Sequence, residues 1–149
     1  MNKAWIFLCA AALLVFGIDQ AIKLLFLEGF RWEGNFFSLI LTFNKGVAFS
    51  MFAFLEEYLK YLQIVLIAAL GLYVAMHRDI LFAHASAIGI IAGAALSNIY
   101  DRFIHGGVVD YFFWHYGFNF AVFNFADVMI DVGVLCILYR TWKHPTPIK

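Results

Sequence analysis

The residues best equipped for chemistry are two aspartates, Asp110 and Asp127, set in the most apolar and aromatic part of the chain. Asp110 closes Gly106-Gly107-Val108-Val109-Asp110 and Asp127 closes Phe123-Asn124-Phe125-Ala126-Asp127, with no Lys or Arg between them. A carboxylate in hydrocarbon costs about 2.5–3.5 kcal/mol at a helix centre on insertion scales, so acids placed there are functional candidates by default. Two carboxyl groups able to share one proton are the minimum equipment of an aspartic hydrolase. Asp131 falls one helical turn beyond Asp127, deeper in the apolar run. It is expected to be protonated and to hydrogen-bond a neighbouring helix; the alternative is a place in a proton path.

Other chemistries find little support. The histidines, at 77, 84, 105, 115 and 144, are dispersed and form no HExxH or other ligand spacing, so neither a metal site nor a cofactor is expected. Cys9 and Cys136 are lone cysteines in apolar runs and read as small core residues rather than as a disulfide. Ser50, Ser86 and Ser97 have no base partner in any recognisable motif. Ten basic residues balance ten acidic ones, which is not the basic footprint of a nucleic-acid binder.

The elements that must hold the aspartates follow from composition. Of 149 residues, 64% are hydrophobic and 13% charged, against about half and a quarter in a soluble domain. A chain this short cannot hide so much apolar surface, so the excess must face lipid. Apolar runs predict an all-α integral membrane fold, a single multi-pass domain over 1–149. Its four transmembrane helices would cover about 4–27, 57–76, 80–99 and 124–142. Removal of the first run as a secretory signal is disfavoured, because the apolar stretch continues past Ala10-Ala11-Ala12. A small extracytoplasmic β region over about 30–53 is expected between the first two helices. There Phe37–Phe43 reads as a strand, Asn44-Lys45-Gly46 as a turn, and Val47–Phe52 as the returning strand.

Local spacing places the polar residues. Asn124 and Asp127 stand as a helix N-cap and its third residue. An acid in a first turn meets the positive end of the helix dipole, which favours its ionised form. Asn98-Ile99-Tyr100-Asp101 repeats that spacing at the exit of the third helix, where Asp101 and Arg102 read as an interfacial ion pair. Asp19 and Lys23 are one turn apart and read as a second local pair. Gly89 and Gly93, extended by Ser97, form a small-residue row that serves helix packing more often than dimerisation. With four spans, one membrane side holds Lys3, Arg78, Arg140, Lys143 and Lys149 against the single acid Asp79. The basic C-terminal tail then puts both termini in the cytoplasm, with Asp19, Asp101, Asp110 and Asp127 gathered near the extracytoplasmic face.

Five segments, in order from Asp19 to Ile130, resemble a known family. Asp19-Gln20-Ala21-Ile22-Lys23 is similar to its DQxxK element, and Asn44-Lys45-Gly46-Val47-Ala48-Phe49 to its NxGxAF element. The stretch Ala94–Arg102 resembles GALGNxxDR, Val108–Tyr111 resembles VVDF, and Phe123–Asp127 resembles FNxAD. These are the elements of lipoprotein signal peptidase, or signal peptidase II, a bacterial aspartic endopeptidase of the cytoplasmic membrane. The resemblance implies that Asp110 and Asp127 are the catalytic dyad. Asp19, Lys23, Asn44, Gly46, Asn98, Asp101, Arg102 and Asn124 would support them or contact substrate. It implies a prolipoprotein substrate cut just before a diacylglyceryl-modified cysteine, sensitivity to the cyclic peptide globomycin, and action in contact with membrane lipids; nothing requires more than a monomer. The departures are Ala94 and Ser97 in place of glycines, which bear on backbone packing near Asn98, and Tyr111 in place of Phe. Two rival functions remain at this level: a small proton-coupled transporter using Asp110, Asp127 and Asp131, and a scaffold binding a partner helix along Gly89 and Gly93.

Overall fold

The computed structural model of the chain describes residues 3–46 and 56–143. Four helices account for most of it: α1 (Lys3–Leu27), α2 (Glu56–Met76), α3 (Arg78–Ile104) and α4 (Phe125–Lys143). Both prolines, at 145 and 147, fall after α4, so no helix is interrupted by one. At 1.5 Å per residue a helix of 25 residues such as α1 reaches about 37 Å, more than the roughly 30 Å of a bilayer's hydrocarbon core. By length and composition α1, α3 and residues 58–76 of α2 can each cross a membrane. Helix α4 stands apart because its 19 residues carry Asp127, Asp131, Arg140 and Lys143.

Side-chain size is arranged inside out. The buried apolar positions of the helices include Ala4, Ala85, Ala87, Ala94 and Ala126, while Leu13, Leu14, Leu66 and Leu135 stand largely exposed. Such a distribution suits helices that pack backbone to backbone and present their bulk to lipid. Helices α1 and α3 make the closest approach: a Cβ on Gly89 would run into the Leu8 carbonyl, and one on Gly93 into the Ala12 carbonyl. Gly133 of α4 is likewise pressed against Ala87 and Ile91 of α3. The small-residue row is therefore spent on packing within the chain, and the face a scaffold would offer to a partner is covered by α1. Cys9 and Cys136 are not core residues but exposed free thiols, since on these helices the core went to smaller side chains.

Three strands form an antiparallel sheet in the order β1 (Trp32–Glu33), β2 (Phe37–Asn44) and β3 (Val108–Trp114). The expected strand Phe37–Phe43 is present, but it pairs with β3, from the segment after α3, with Thr42 opposite Asp110 and Asn44 opposite Val108. The register shifts between Leu39 and Thr42. The proposed return strand Val47–Phe52 lies outside the described residues. Helix α3 runs to Ile104, five residues past its expected end, so Asp101 and Arg102 sit in its last turns rather than beyond it. His105 closes it and Gly106, at φ 72°, takes the left-handed conformation that turns the chain into β3.

Candidate active site

Helix α4 starts on a reciprocal cap. The Asp127 amide donates to Asn124 Oδ1 at 2.9 Å, and the Asn124 amide donates to Asp127 Oδ2 at 3.2 Å. This is the capping-box geometry that the Asn124/Asp127 spacing predicts, with an acid closing the box. Asn124 also spends its side-chain NH₂ on the sheet, donating to Asp110 Oδ1 at 2.7 Å and to the Val109 carbonyl at 3.3 Å. One asparagine thus touches both aspartates and fixes where α4 begins relative to β3.

The remaining partners of the two acids are neutral amides. Asn44 Nδ2 donates to Asp110 Oδ2 at 3.1 Å, and Asn98 Nδ2 donates to Asp127 Oδ1 at 2.9 Å. Asp110 is almost completely buried. Its carboxyl is pushed up to about 7, first by burial and then by the neighbouring Asp127 charge, against the pull of the Asn44 and Asn124 hydrogen bonds. Burial likewise pushes the Tyr111 hydroxyl up, leaving it a neutral group.

A second cluster backs the first. Lys23 Nζ lies 2.6 Å from Asp19 Oδ2 and 2.6 Å from Asp101 Oδ2, all three groups being buried. It also donates to Asn98 Oδ1 at 2.8 Å, and that oxygen accepts from Asn124 Nδ2 at 3.1 Å as well. Asn98 therefore stands between a buried lysine and Asp127. The two acids are satisfied on every side: Asp19 accepts from Ser97 Oγ at 2.6 Å and from the Ala126 amide at 2.9 Å. Asp101 accepts from Gln20 Nε2 at 2.8 Å and from the Val109 amide at 3.1 Å. The expected Asp101–Arg102 pair is not formed. Successive helix residues point about 100° apart, and the Arg102 guanidinium donates instead to the carbonyls of Lys45 and Gly46. Gly46 in turn donates its amide to Asn44 Oδ1 at 3.0 Å, so Arg102 and Asn44 together shape the turn that follows β2.

All ten residues singled out from sequence thus join one connected polar network. Asp110 and Asp127 face a cavity of about 510 Å³ that Asn44, Asn98 and Arg102 also line. Asp131 opens onto the same cavity and has no hydrogen-bond partner among the described residues, contrary to the expected helix–helix bond. Among those residues no three His, Cys, Asp or Glu side chains gather as a metal would require.

Three participants escaped the sequence reading. Gln20 donates to Ser97 Oγ at 2.8 Å as well as to Asp101. Ser97, one of the departures from the family pattern, adds a hydroxyl that ties Gln20 to Asp19 while packing stays tight. Tyr111, the other departure, accepts the first amide of α4, from Phe125, at 2.9 Å, and its ring stacks on Phe26 at 4.2 Å between centroids. For Ser97 and Tyr111 the added hydroxyl was the available signal; for Gln20 it was a polar amide inside an apolar helix.

The comparisons agree with this architecture. The model of the family described as signal peptidase (SPase) II matches residues 11–143. A lipoprotein signal peptidase of Wolinella succinogenes is 60% identical over 129 residues, covering 87% of this chain and 88% of that protein. One from Helicobacter pylori is 57% identical over 127 residues, covering 85% of this chain and 81% of its own length. A solved structure described as a bacterial membrane enzyme shares the fold at TM-score 0.72 and 23% identity, over 94% of this chain and 92% of that one. By fold and relatives this is a bacterial membrane protein of the peptidase class. The chain belongs to the signal peptidase II family.

Proposed function

We propose that the chain is an aspartic endopeptidase that removes the signal peptide from prolipoproteins, cutting just before a diacylglyceryl-modified cysteine, with Asp110 and Asp127 as its dyad. The observation that carries this reading is the pair of carboxyls opening on one cavity and held by amides alone, in a family whose relatives are named for the reaction. Neutral donors fix the position of each oxygen without supplying the positive charge that would lock both acids in the ionised form.

Asp127, in the first turn of α4 where the dipole favours negative charge, acts as the base. It takes a proton from a water molecule as the oxygen attacks the scissile carbonyl. Asp110, which burial keeps protonated to about pH 7, donates its proton to the developing oxyanion. As the C–N bond breaks, Asp127 passes the proton taken from water to the leaving amine, and the collapsing diol returns a proton to Asp110. The two titrate as a pair, so the assignment describes the resting state of the dyad. Asn98 and Asn124 hold Asp127 and Asp110, and the Lys23 centre fixes Asn98. Asn44, Gly46 and Arg102 shape the cavity rim on the strand side.

In this reading α4 is a fourth span, its acids turned to the cavity and Arg140 and Lys143 at the far interface. The whole chain is one monomeric domain with both termini in the cytoplasm. The lipid-modified substrate enters from the membrane, and a cyclic peptide such as globomycin competes for the same cavity. Purified protein given a lipidated prolipoprotein is expected to cleave it, while Asp110→Asn and Asp127→Asn remain folded and cleave almost none. Normal rates in both variants would refute the dyad. A reporter fused after Lys149 is expected to read cytoplasmic.

A further inference from the structure

At the end of the bundle opposite the aspartates, α1, α3 and α4 surround a second hollow of about 390 Å³. Lys3 and Arg140 reach it from two different helices, Ser86 adds a hydroxyl, and Phe7 and Phe82 form its apolar walls. Among the described residues no acid lines it and neither cation forms an ion pair. Two like charges converging without a counter-ion is an unfavourable arrangement by itself. Arg140 suits the last turn of α4, where the dipole attracts a cation. Lys3 has no such excuse: it opens α1, at the positive end of the dipole, in a first turn that contains no acid. An anion between them would resolve both difficulties.

We propose that this hollow binds the headgroup phosphate of an anionic phospholipid, with Lys3, Arg140 and the Ser86 hydroxyl as its donors. Phe7 and Phe82, 57% and 49% exposed, continue the hollow onto the lipid-facing helix surface, where acyl chains would lie. That continuity favours a lipid over a free anion. Basic recesses between membrane helices at an interface are the usual form of such sites, and the volume falls in the ordinary range of ligand pockets. The contrast with the other end is instructive, since Lys23 there is ion-paired with two carboxylates and Arg102 donates to two backbone carbonyls. The site is remote from the dyad and does not depend on the proteolytic reading.

The test is lipid retention. Full-length protein is loaded into bilayer discs of phosphatidylethanolamine with a minority of phosphatidylglycerol, and the lipids that stay bound are counted by native mass spectrometry. The wild type should retain phosphatidylglycerol in preference. The double variant K3Q/R140Q should lose about thirtyfold in that preference, about fivefold per cation. K3R/R140K should keep it, and Ser86→Phe, which fills the hollow without changing charge, should lose it. R78Q/K143Q, equal in charge loss and at the same end, should retain wild-type preference. Unchanged retention in K3Q/R140Q, or equal loss in R78Q/K143Q, would overturn the site. Protection from heat by inorganic phosphate equal to that by the lipid would overturn the lipid as its occupant. Cleavage in detergent should match wild type in K3Q/R140Q.

Discussion

Four acids lie within one polar network, yet the two halves of that network are built on opposite principles. Asp19 and Asp101 flank Lys23, each with an oxygen 2.6 Å from its ammonium, and their carboxylates also accept from amides and a hydroxyl. Asp110 and Asp127 have amides alone and a cavity in front of them. A carboxylate paired with a buried cation is fixed in place by that charge as well as by its hydrogen bonds. One held by neutral donors keeps its proton negotiable. In the proposed mechanism the same residue type supplies rigidity in one half and chemistry in the other, and Asn98 is the bridge between them.

The sharpest break of this contrast exchanges loss of rate for loss of stability. Asp110→Asn or Asp127→Asn should lower cleavage by on the order of 10⁴-fold, as removal of an acting catalytic group does, with unfolding in detergent little changed. Lys23→Met should do the reverse in kind. It strands Asp19 and Asp101 as buried charges and should cost about 3–5 kcal/mol in denaturant unfolding. If Lys23→Met unfolded like wild type, the backing cluster would not be the anchor described here.

Acidity offers the next comparison. The folded pKa of Asp110, about 7, stands above its ordinary 3.8. The folded protein thus holds a proton that the unfolded chain has already released, and stability declines as pH rises from 3.8 toward about 7. Cleavage should fall on the alkaline side of about 7 as the donor proton is lost. Asn44→Ala removes a hydrogen bond that favours the charged form, so it should move that limb to higher pH in a rate–pH profile. A limb that moved down would contradict the role given to Asn44. The smallest effect belongs to Tyr111→Phe, which restores the family's usual residue. Loss of its bond to the Phe125 amide should cost about 1 kcal/mol by denaturant unfolding and leave the alkaline limb in place.

Much of this was legible in the residues themselves. Long runs without charge or proline specify helices whatever their neighbours do, and Asn124 with Asp127 specifies a cap because both partners lie within one turn. What stayed hidden was non-local. Apart from Asp110, Val108–Trp114 is apolar or aromatic on both faces, so no alternation marked it as a strand, and only its pairing with Phe37–Asn44 defines it. Arg102 stands next to Asp101 in sequence, which made a local pair plausible. Its true acceptors are 56 and 57 residues away. Lys23 displayed its nearer partner, four residues back, but not Asp101, brought in by the close packing of α1 on α3. Charges in Asp101 and Arg102 suggested a helix end at water, whereas both are buried and α3 continues past them.

The doubly employed Asn124 has a mechanical corollary. Its backbone begins a helix, while its side chain is fastened to the sheet at Asp110 and Val109. Helix α4 cannot lean without pulling on the very bonds that orient the acids. Bilayers of different thickness impose different tilts on the helices they hold. Turnover should therefore peak at one acyl-chain length of the host lipid and decline in thinner and thicker membranes alike.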